Sequence, residues 1–376
     1  MERTTDILIV GAGCAGLQLM YQLVSHPNYH HESIVLVDEL PWGAAEKTWC
    51  FWASPQELIY PQIVSHQWSN IEVIDSSQHS TVYCLQDFKY QQISSQDFFD
   101  FHRPLLDQFP IEFIQAKVTS ISGVLVETSQ GKIRANRIFS SIIPPLVGHD
   151  LHLKQHFVGW RIKTENPRFA SNTMTLMDLS VPQPLDGMAF LYVLPYSATE
   201  ALVEFTVFSP TVWSKREYEQ HLMEISQRWG GNWKVVDQEE GCIPMYGGAF
   251  LAQSPEGIQF IGGGAGKIKP STGYAFYRIW EHSKEMAAVY FSTSKKKNAS
   301  SIRFRVYDLL LLHILQNHSS QSIPVFDALL NRVPLDRTFK FLKEQTSWWE
   351  EVLLFSKLPK KPFLRAVWER ILNIIF

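Results

Sequence analysis

Asp6-Ile-Leu-Ile-Val-Gly-Ala-Gly-Cys-Ala-Gly-Leu-Gln-Leu-Met20 is the stretch on which the fold turns. A short apolar run, Ile7 to Val10, meets Gly11, Gly13 and Gly16 and continues into residues that suit a helix. This is the strand, tight turn and helix start that a dinucleotide pyrophosphate needs. Gly11 permits the turn, Gly13 lets the backbone approach the phosphates, and Gly16 allows close packing of helix on strand. The helix N-terminus then faces the anion. A second apolar run, Ile34 to Val37, ends in Asp38, 22 residues after Gly16, which suits a ribose hydroxyl contact.

Strand, helix and downstream acid agree, so a bound adenine dinucleotide is expected. The motif's place beside the N-terminus favours FAD over a nicotinamide cofactor. A later stretch, Gly257-Ile-Gln-Phe-Ile-Gly-Gly-Gly-Ala-Gly266, is again an apolar run into glycines followed by a predicted helix. Its Gly262, Gly264 and Gly266 either offer a second set of backbone amides to the flavin or simply join a strand to a helix.

The 376 residues suffice for two or three domain-sized units. Charged residues are only 19% and aromatics reach 13%, an excess that a large apolar ligand or a membrane surface would use. With a net charge of −3 and no basic stripe interleaved with rings, nucleic acid is not expected as a partner. The four cysteines have no C-x-x-C spacing, and no His/Cys cluster reads as a metal site. No signal peptide is read before the first strand, and no uncharged run reaches the roughly 18 residues of a membrane span. The expected location is cytoplasmic, at the membrane periphery.

Along the chain, Pro41 to Trp52 reads as an aromatic loop beyond the second strand, with Trp49, Phe51 and Trp52 facing a ligand or plugging the sheet edge. Residues 56–95 carry short alternating runs of a second sheet. Asp97 to Phe109 has helical spacing, and four strand-like runs follow to Ile138. From about Gln155 to Pro244 the chain alternates as an antiparallel sheet with aromatic faces that include Trp160 and Tyr192. Glu217 to Trp229 is a predicted helix. The last hundred residues read as mostly helical, with Lys295 to Lys297 in a solvated loop.

The overall expectation is an α/β chain. A discontinuous Rossmann-like FAD-binding domain takes residues 1–55, 96–150 and 250–300; an inserted antiparallel substrate domain takes 56–95 and 151–249; a helical C-terminal region takes 301–376. The tail from Lys357 mixes basic residues with Phe363, Leu364, Val367, Trp368, Ile371, Leu372, Ile375 and Phe376. It suits either a bilayer interface or docking on protein.

No G-x-S-x-G, H-E-x-x-H or P-loop is present. The informative ionisable residue is Glu204: in a strand its face also carries Leu202, Thr206 and Phe208, while Val203, Phe205 and Val207 point the other way. A carboxyl among apolar groups has its pKa raised and can deliver a proton near neutrality. A glutamate in a wide sheet is more usually solvent-facing or ion-paired. Asp178 and Glu240 are lesser candidates on the same grounds.

At these residues the sequence resembles the flavin-dependent lycopene cyclase family of bacteria and plants. The similarity lies in the N-terminal fingerprint, Lys47-Thr-Trp-Cys-Phe-Trp52, Phe157-Val-Gly-Trp160, Met177-Asp-Leu179 with Val181-Pro-Gln183, and Phe190-Leu-Tyr-Val-Leu-Pro195. It continues in Leu202-Val-Glu-Phe-Thr206, Gly241-Cys-Ile-Pro-Met245 and Lys269-Pro-Ser-Thr-Gly-Tyr274. The resemblance gives Glu204 the place of the family's proposed catalytic glutamate, but Phe205 stands where the family has a second acid. Gly263, where flavoproteins often have an aspartate, resembles the cyclases. The implied reaction is non-redox: protonation of a terminal double bond of lycopene, ring closure and proton loss give β-ionone ends, hence β-carotene via γ-carotene. Reduced FAD is implied as cofactor and NAD(P)H as reductant. The alternatives are an NAD(P)H-consuming flavin monooxygenase or prenyl reductase of similar fold, and a non-enzymatic carotenoid-binding protein.

Overall fold

The computed structural model describes residues 2–44, 47–144, 151–227, 230–248, 250, 257–291 and 302–375, with side chains as far as 371. The predicted loop at Lys295 to Lys297, and Leu372, Ile375 and Phe376 as side chains of the tail, lie outside the described residues.

Its first sheet is parallel at the centre, in the order Ile111–Gln115, Ile34–Asp38, Glu2–Val10, Gly131–Ser140. An antiparallel hairpin, Val118–Ser122 with Leu125–Thr128, extends it, and Gln259–Phe260 pairs with the end of Gly131–Ser140. Ile34 to Val37 are buried without alternation, as a strand covered on both faces must be. The register Val10↔Val37, Val10↔Ser140 and Ser140↔Phe260 brings four carboxyl ends to one edge. The helix Cys14–Val24 starts there, and the helix Phe276–Tyr290 packs beside it. The mixed α/β architecture expected from the opening stretch is therefore present.

The second sheet runs Trp233–Tyr246, His152–Thr164, Glu200–Ser209, Met188–Ser197, Thr173–Asp178, Asn70–Ile74, Ser80–Cys84. All its pairings are antiparallel except that of Thr173–Asp178 with Asn70–Ile74. One face, with Val203, Phe205, Val207 and Trp160, is covered by Tyr218, Leu222 and Ile225 of the helix Lys215–Ser226. That helix begins on a Ser214/Glu217 capping box. The other face, with Tyr192, Leu194, Leu202 and Phe208, meets the C-terminal helices through Leu312, Leu315, Phe326 and Phe339.

Two expectations change. The segment 56–95 divides: Asn70–Ile74 and Ser80–Cys84 join the second sheet, whereas His66–Trp68 and Lys89–Ser94 form a small third sheet with Thr48–Ala53. The predicted aromatic loop thus ends in a strand. Thr-Trp-Cys-Phe-Trp-Ala is rich in β-forming residues, and its parity divides the rings: Trp49 and Phe51 pack with the first core, Cys50 and Trp52 with the second.

A buried ion network fastens the chain after the second glycine segment. Lys269 Nζ, 3% exposed, lies 3.0 Å from Asp308 and 3.3 Å from Glu344, and the Ser271 hydroxyl donates to Asp308 at 2.5 Å. Arg278 completes the set at Glu344. Because neither charge can be left alone in that interior, the loop Lys269 to Tyr274 is held against the helical region. Tyr274 is thereby placed edge-on to Trp52, with ring centroids 4.5 Å apart.

Candidate functional site

The first glycine turn has the properties a pyrophosphate needs. Gly11 sits at φ +98°, and its amide donates to Val37 O. Gly13 is the N-cap of Cys14–Val24; no side chain caps the helix and no acid lies in its first turn, so its amides and dipole are available to an anion. A Cβ on Gly13 would meet nothing within 4 Å, while one on Gly16 would lie 1.9 Å from Gly11 O. Asp38, at the end of its strand, accepts from the amides of Ala12 at 2.8 Å and Leu40 at 3.0 Å. These bonds fix the carboxylate beside the turn with lone pairs left for a hydroxyl.

The second glycine segment closes on the first. Gly262 to Ala265 form a 3₁₀ turn, and a Cβ on Gly262, at φ +56°, would stand 2.5 Å from Ala15 Cβ. Gly264 passes so close to Ile142 O that a Cβ would lie 2.6 Å away, and Gly266, at φ +68°, is under the Phe250 ring. A dinucleotide pyrophosphate fits the open side of this turn at Gly13, with Gly11 and Asp38 beside it, whereas a Cβ on Gly16, Gly262, Gly264 or Gly266 would meet protein atoms, so these four serve close packing of backbone around the turn.

Glu204 lies on the second sheet, on the face that meets the C-terminal helices. Its register partners are Tyr192 on one side and Gly159 on the other, and Gly159 is in turn opposite Glu239 of the edge strand. Gly159 carries no side chain, and an added Cβ would stand 2.9 Å from Glu204 Cγ and 3.2 Å from Glu239 Cγ. The two carboxyls occupy that space and hydrogen-bond each other. Burial, and then Glu239, push the Glu204 pKa well above the ordinary carboxylate value of 4.5. The arrangement favours the protonated form of Glu204, as the acid reading of this residue requires.

Rings and weak acids surround the pair. The Tyr192 hydroxyl donates to Tyr90 at 2.9 Å, and Trp52 stacks on Phe339 with centroids 4.6 Å apart. Burial raises Cys50, Tyr90, Tyr192 and Tyr274, so all four stay neutral through the physiological range. On its other side Glu239 accepts from the Thr48 hydroxyl at 2.7 Å and borders a cleft of about 470 Å³. That cleft is mostly polar, with Lys47, His66, Gln92, Asp97 and Arg161 on its walls.

The fold therefore brings Glu204, Tyr192 and Trp52 to one core, but not every residue expected there. Trp160 faces the opposite side of the sheet, against Trp233 and the covering helix, because it is Gly159 that shares Glu204's parity. Trp49 and Phe51 pack with Phe98 and Phe276 in the first core. Asp178 is taken up by Ser180. Glu240 is exposed, since on an edge strand it points away from its neighbour Glu239. Glu239 was not singled out by sequence; the available signal was the mid-strand glycine of Phe157-Val-Gly-Trp160, which marks a close approach. Far from this site, His313 and His318 each hydrogen-bond Glu369, at 2.8 and 2.7 Å, three ligand-type groups that no sequence spacing announces.

Comparison with known proteins identifies the family and the fold. A family model described as "Lycopene cyclase protein" matches residues 6–368. Among curated relatives, a chloroplastic neoxanthin synthase of Solanum tuberosum is 25% identical over 299 residues, 73% of this chain and 58% of its own length. A lycopene beta-cyclase of Paracoccus is 29% identical over 161 residues, 41% of this chain and 40% of its own. The chain thus spans well under two thirds of the length of the relatives it matches. Among solved structures, a geranylgeranyl bacteriochlorophyll reductase-like protein from Thermoplasma acidophilum superposes with a TM-score of 0.59 at 12% identity, covering 98% of this chain and 96% of its own. A flavin-dependent brominase gives 0.56 at 12% identity, covering 98% and 100%. At such identity these two establish the fold.

Proposed function

Because this chain belongs to the lycopene cyclase family, we propose that it is a lycopene β-cyclase in which Glu204 supplies the proton. The observation that carries the proposal is the position of Glu204: a carboxyl opposite Tyr192 and close to Glu239 across Gly159, on a face of rings, with its pKa pushed up by burial.

The cofactor, FAD, is assigned to the parallel-sheet unit and the acyclic carotenoid to the antiparallel one. Reduced FAD, when bound, supplies an electron-rich ring system that stabilises positive charge, with NAD(P)H as its reductant. The chain's own residues do the rest. Glu204 gives its proton to the terminal double bond of a ψ end, leaving a tertiary cation. A neighbouring double bond closes the six-membered ring, and a ring proton is then lost to the Glu204 carboxylate, so the formula is unchanged. Tyr90, Tyr192, Tyr274 and Trp52 line this core and keep water from the cation, and aromatic rings stabilise positive charge.

The deciding experiment supplies lycopene in liposomes with FAD and NADPH, without oxygen, and follows product mass and NADPH. The expected product is cyclic with unchanged mass and little NADPH consumed. Mass change with matched NADPH loss would instead make the protein a redox flavoenzyme, and binding without product a carotenoid carrier.

A lipid-borne substrate calls for membrane contact, and among the described residues no helix is long and apolar enough to cross a bilayer. The helices Trp348–Lys357 and Lys360–Ile375 bury Leu354 and, between them, Leu358 but leave Trp349 80%, Leu364 69% and Trp368 64% exposed, near Lys357, Lys360 and Lys361. We assign the peripheral contact to these helices. At about 1 kcal/mol per half-inserted indole, W349A/W368A is expected to weaken binding to anionic vesicles roughly 30-fold. Flotation with unchanged partition would exclude this surface.

A further inference from the structure

Resting on that reading of Glu204, we infer that Glu239 is its positioning partner: the two carboxyls share one proton over Gly159, and Glu239 connects Glu204 to the polar cleft. The sequence has Phe205 where its resemblance would put a second acid, and Phe205 is buried in the opposite core. The fold supplies the missing carboxyl from another strand.

The geometry is specific. Glu239, Gly159, Glu204 and Tyr192 form one row across four adjacent strands. Only glycine at position 159 lets side chains two strands apart meet, since any Cβ there would press on both Cγ atoms. Two carboxyls in hydrogen bond cannot both be ionised without strong repulsion, so the pair retains a proton. The Thr48 hydroxyl spends its donor on Glu239, leaving the shared proton to the carboxyl pair. The groups facing the pair from the neighbouring strands, Cys50, Tyr90, Tyr192 and Tyr196, are all raised by burial and do not titrate near neutrality. On the cleft side, burial and then Arg161 lower His66 from 6.5, so it is neutral there as well. Lys47 is turned to the Glu240 carbonyl and Arg161 is paired with Glu200. Asp97 and Asp237 border the same cleft.

In each cycle the proton leaves Glu204 for the alkene and one returns from the ring, so the balance is zero. Between cycles the proton stays with the carboxyl pair, and Glu239 is the member of the pair that borders the cleft. Its amide analogue in E239Q keeps the shape but donates an N–H to Glu204, which favours the Glu204 anion.

The test is the pH profile of kcat together with the infrared carbonyl band of the protonated carboxylic acid in substrate-free protein. Wild type is expected to show an acid band that persists to neutral pH and is absent in E204Q. In E239Q the band and the alkaline limit of kcat should move together to lower pH. Activity above both limits would then fall about tenfold for each unit of movement, and recover in acid. E239D should restore part of the shift, and G159A, which separates the pair sterically, should reproduce it. A uniformly lowered profile with an unmoved band would overturn the inference and leave Glu239 a structural residue. Should wild type yield no cyclic product while E239Q still moves the band, proton sharing stands and the cyclase reading fails.

Discussion

Cyclisation by Glu204→Gln is expected to fall by about 10²–10⁴-fold, the range that removal of a positioned general acid produces, with flavin still bound. The substitution keeps the size of the side chain and its place opposite Gly159 and Tyr192, and removes only the titratable proton. The same residue makes a second, substrate-free prediction. Its folded pKa is raised above 4.5, so between that value and the raised one the native state holds a proton that the unfolded chain releases. Wild-type stability should fall as the pH rises through this window, and the fall should be smaller in E204Q. Product mass and denaturation midpoints against pH measure the two effects. Full activity in E204Q would remove Glu204 from the chemistry.

Two glycines of the opening motif are expected to fail in different ways. A valine at Gly13 meets open space in the protein, so Gly13→Val should fold normally and lose its flavin, because its methyls occupy the ground the pyrophosphate needs. A valine at Gly16 would drive its Cβ into the Gly11 carbonyl, which is backbone and cannot swing aside. At about 3 kcal/mol for such overpacking, Gly16→Val should lower the Tm of a chain of this length by roughly 4 °C. Flavin absorbance and thermal melting of the two purified variants give the comparison. A yellow, normally folded Gly13→Val protein would contradict the placement of the phosphates at this turn.

How much of this was legible in the sequence differs between the two halves of the site. The cofactor cradle is local: Gly11, Gly13, Gly16 and Asp38 act through turn, helix start and strand end within one stretch of chain, so their pattern is their geometry. The face of Glu204 was also legible, since alternation along Leu202 to Phe208 needs only that the segment be a strand. By contrast, reading Trp49, Phe51 and Trp52 as one set failed because a strand sends neighbours to opposite sides. Trp160 was misplaced for the same reason, one residue from the Gly159 that matters.

The sequence by itself determined the parallel sheet with its glycine turn, the largely antiparallel second sheet and the face on which Glu204 lies, because each depends on periodicity or on glycines at fixed spacing. Tertiary structure alone decided that Glu239 rather than Glu240 or Phe205 stands beside that acid, that Cys50 lies near it, and that Lys269, Asp308 and Glu344 hold the loop that carries Tyr274. Those relations depend on strand order and register between segments far apart in the chain, and a one-residue slip would turn every one of them to the other face.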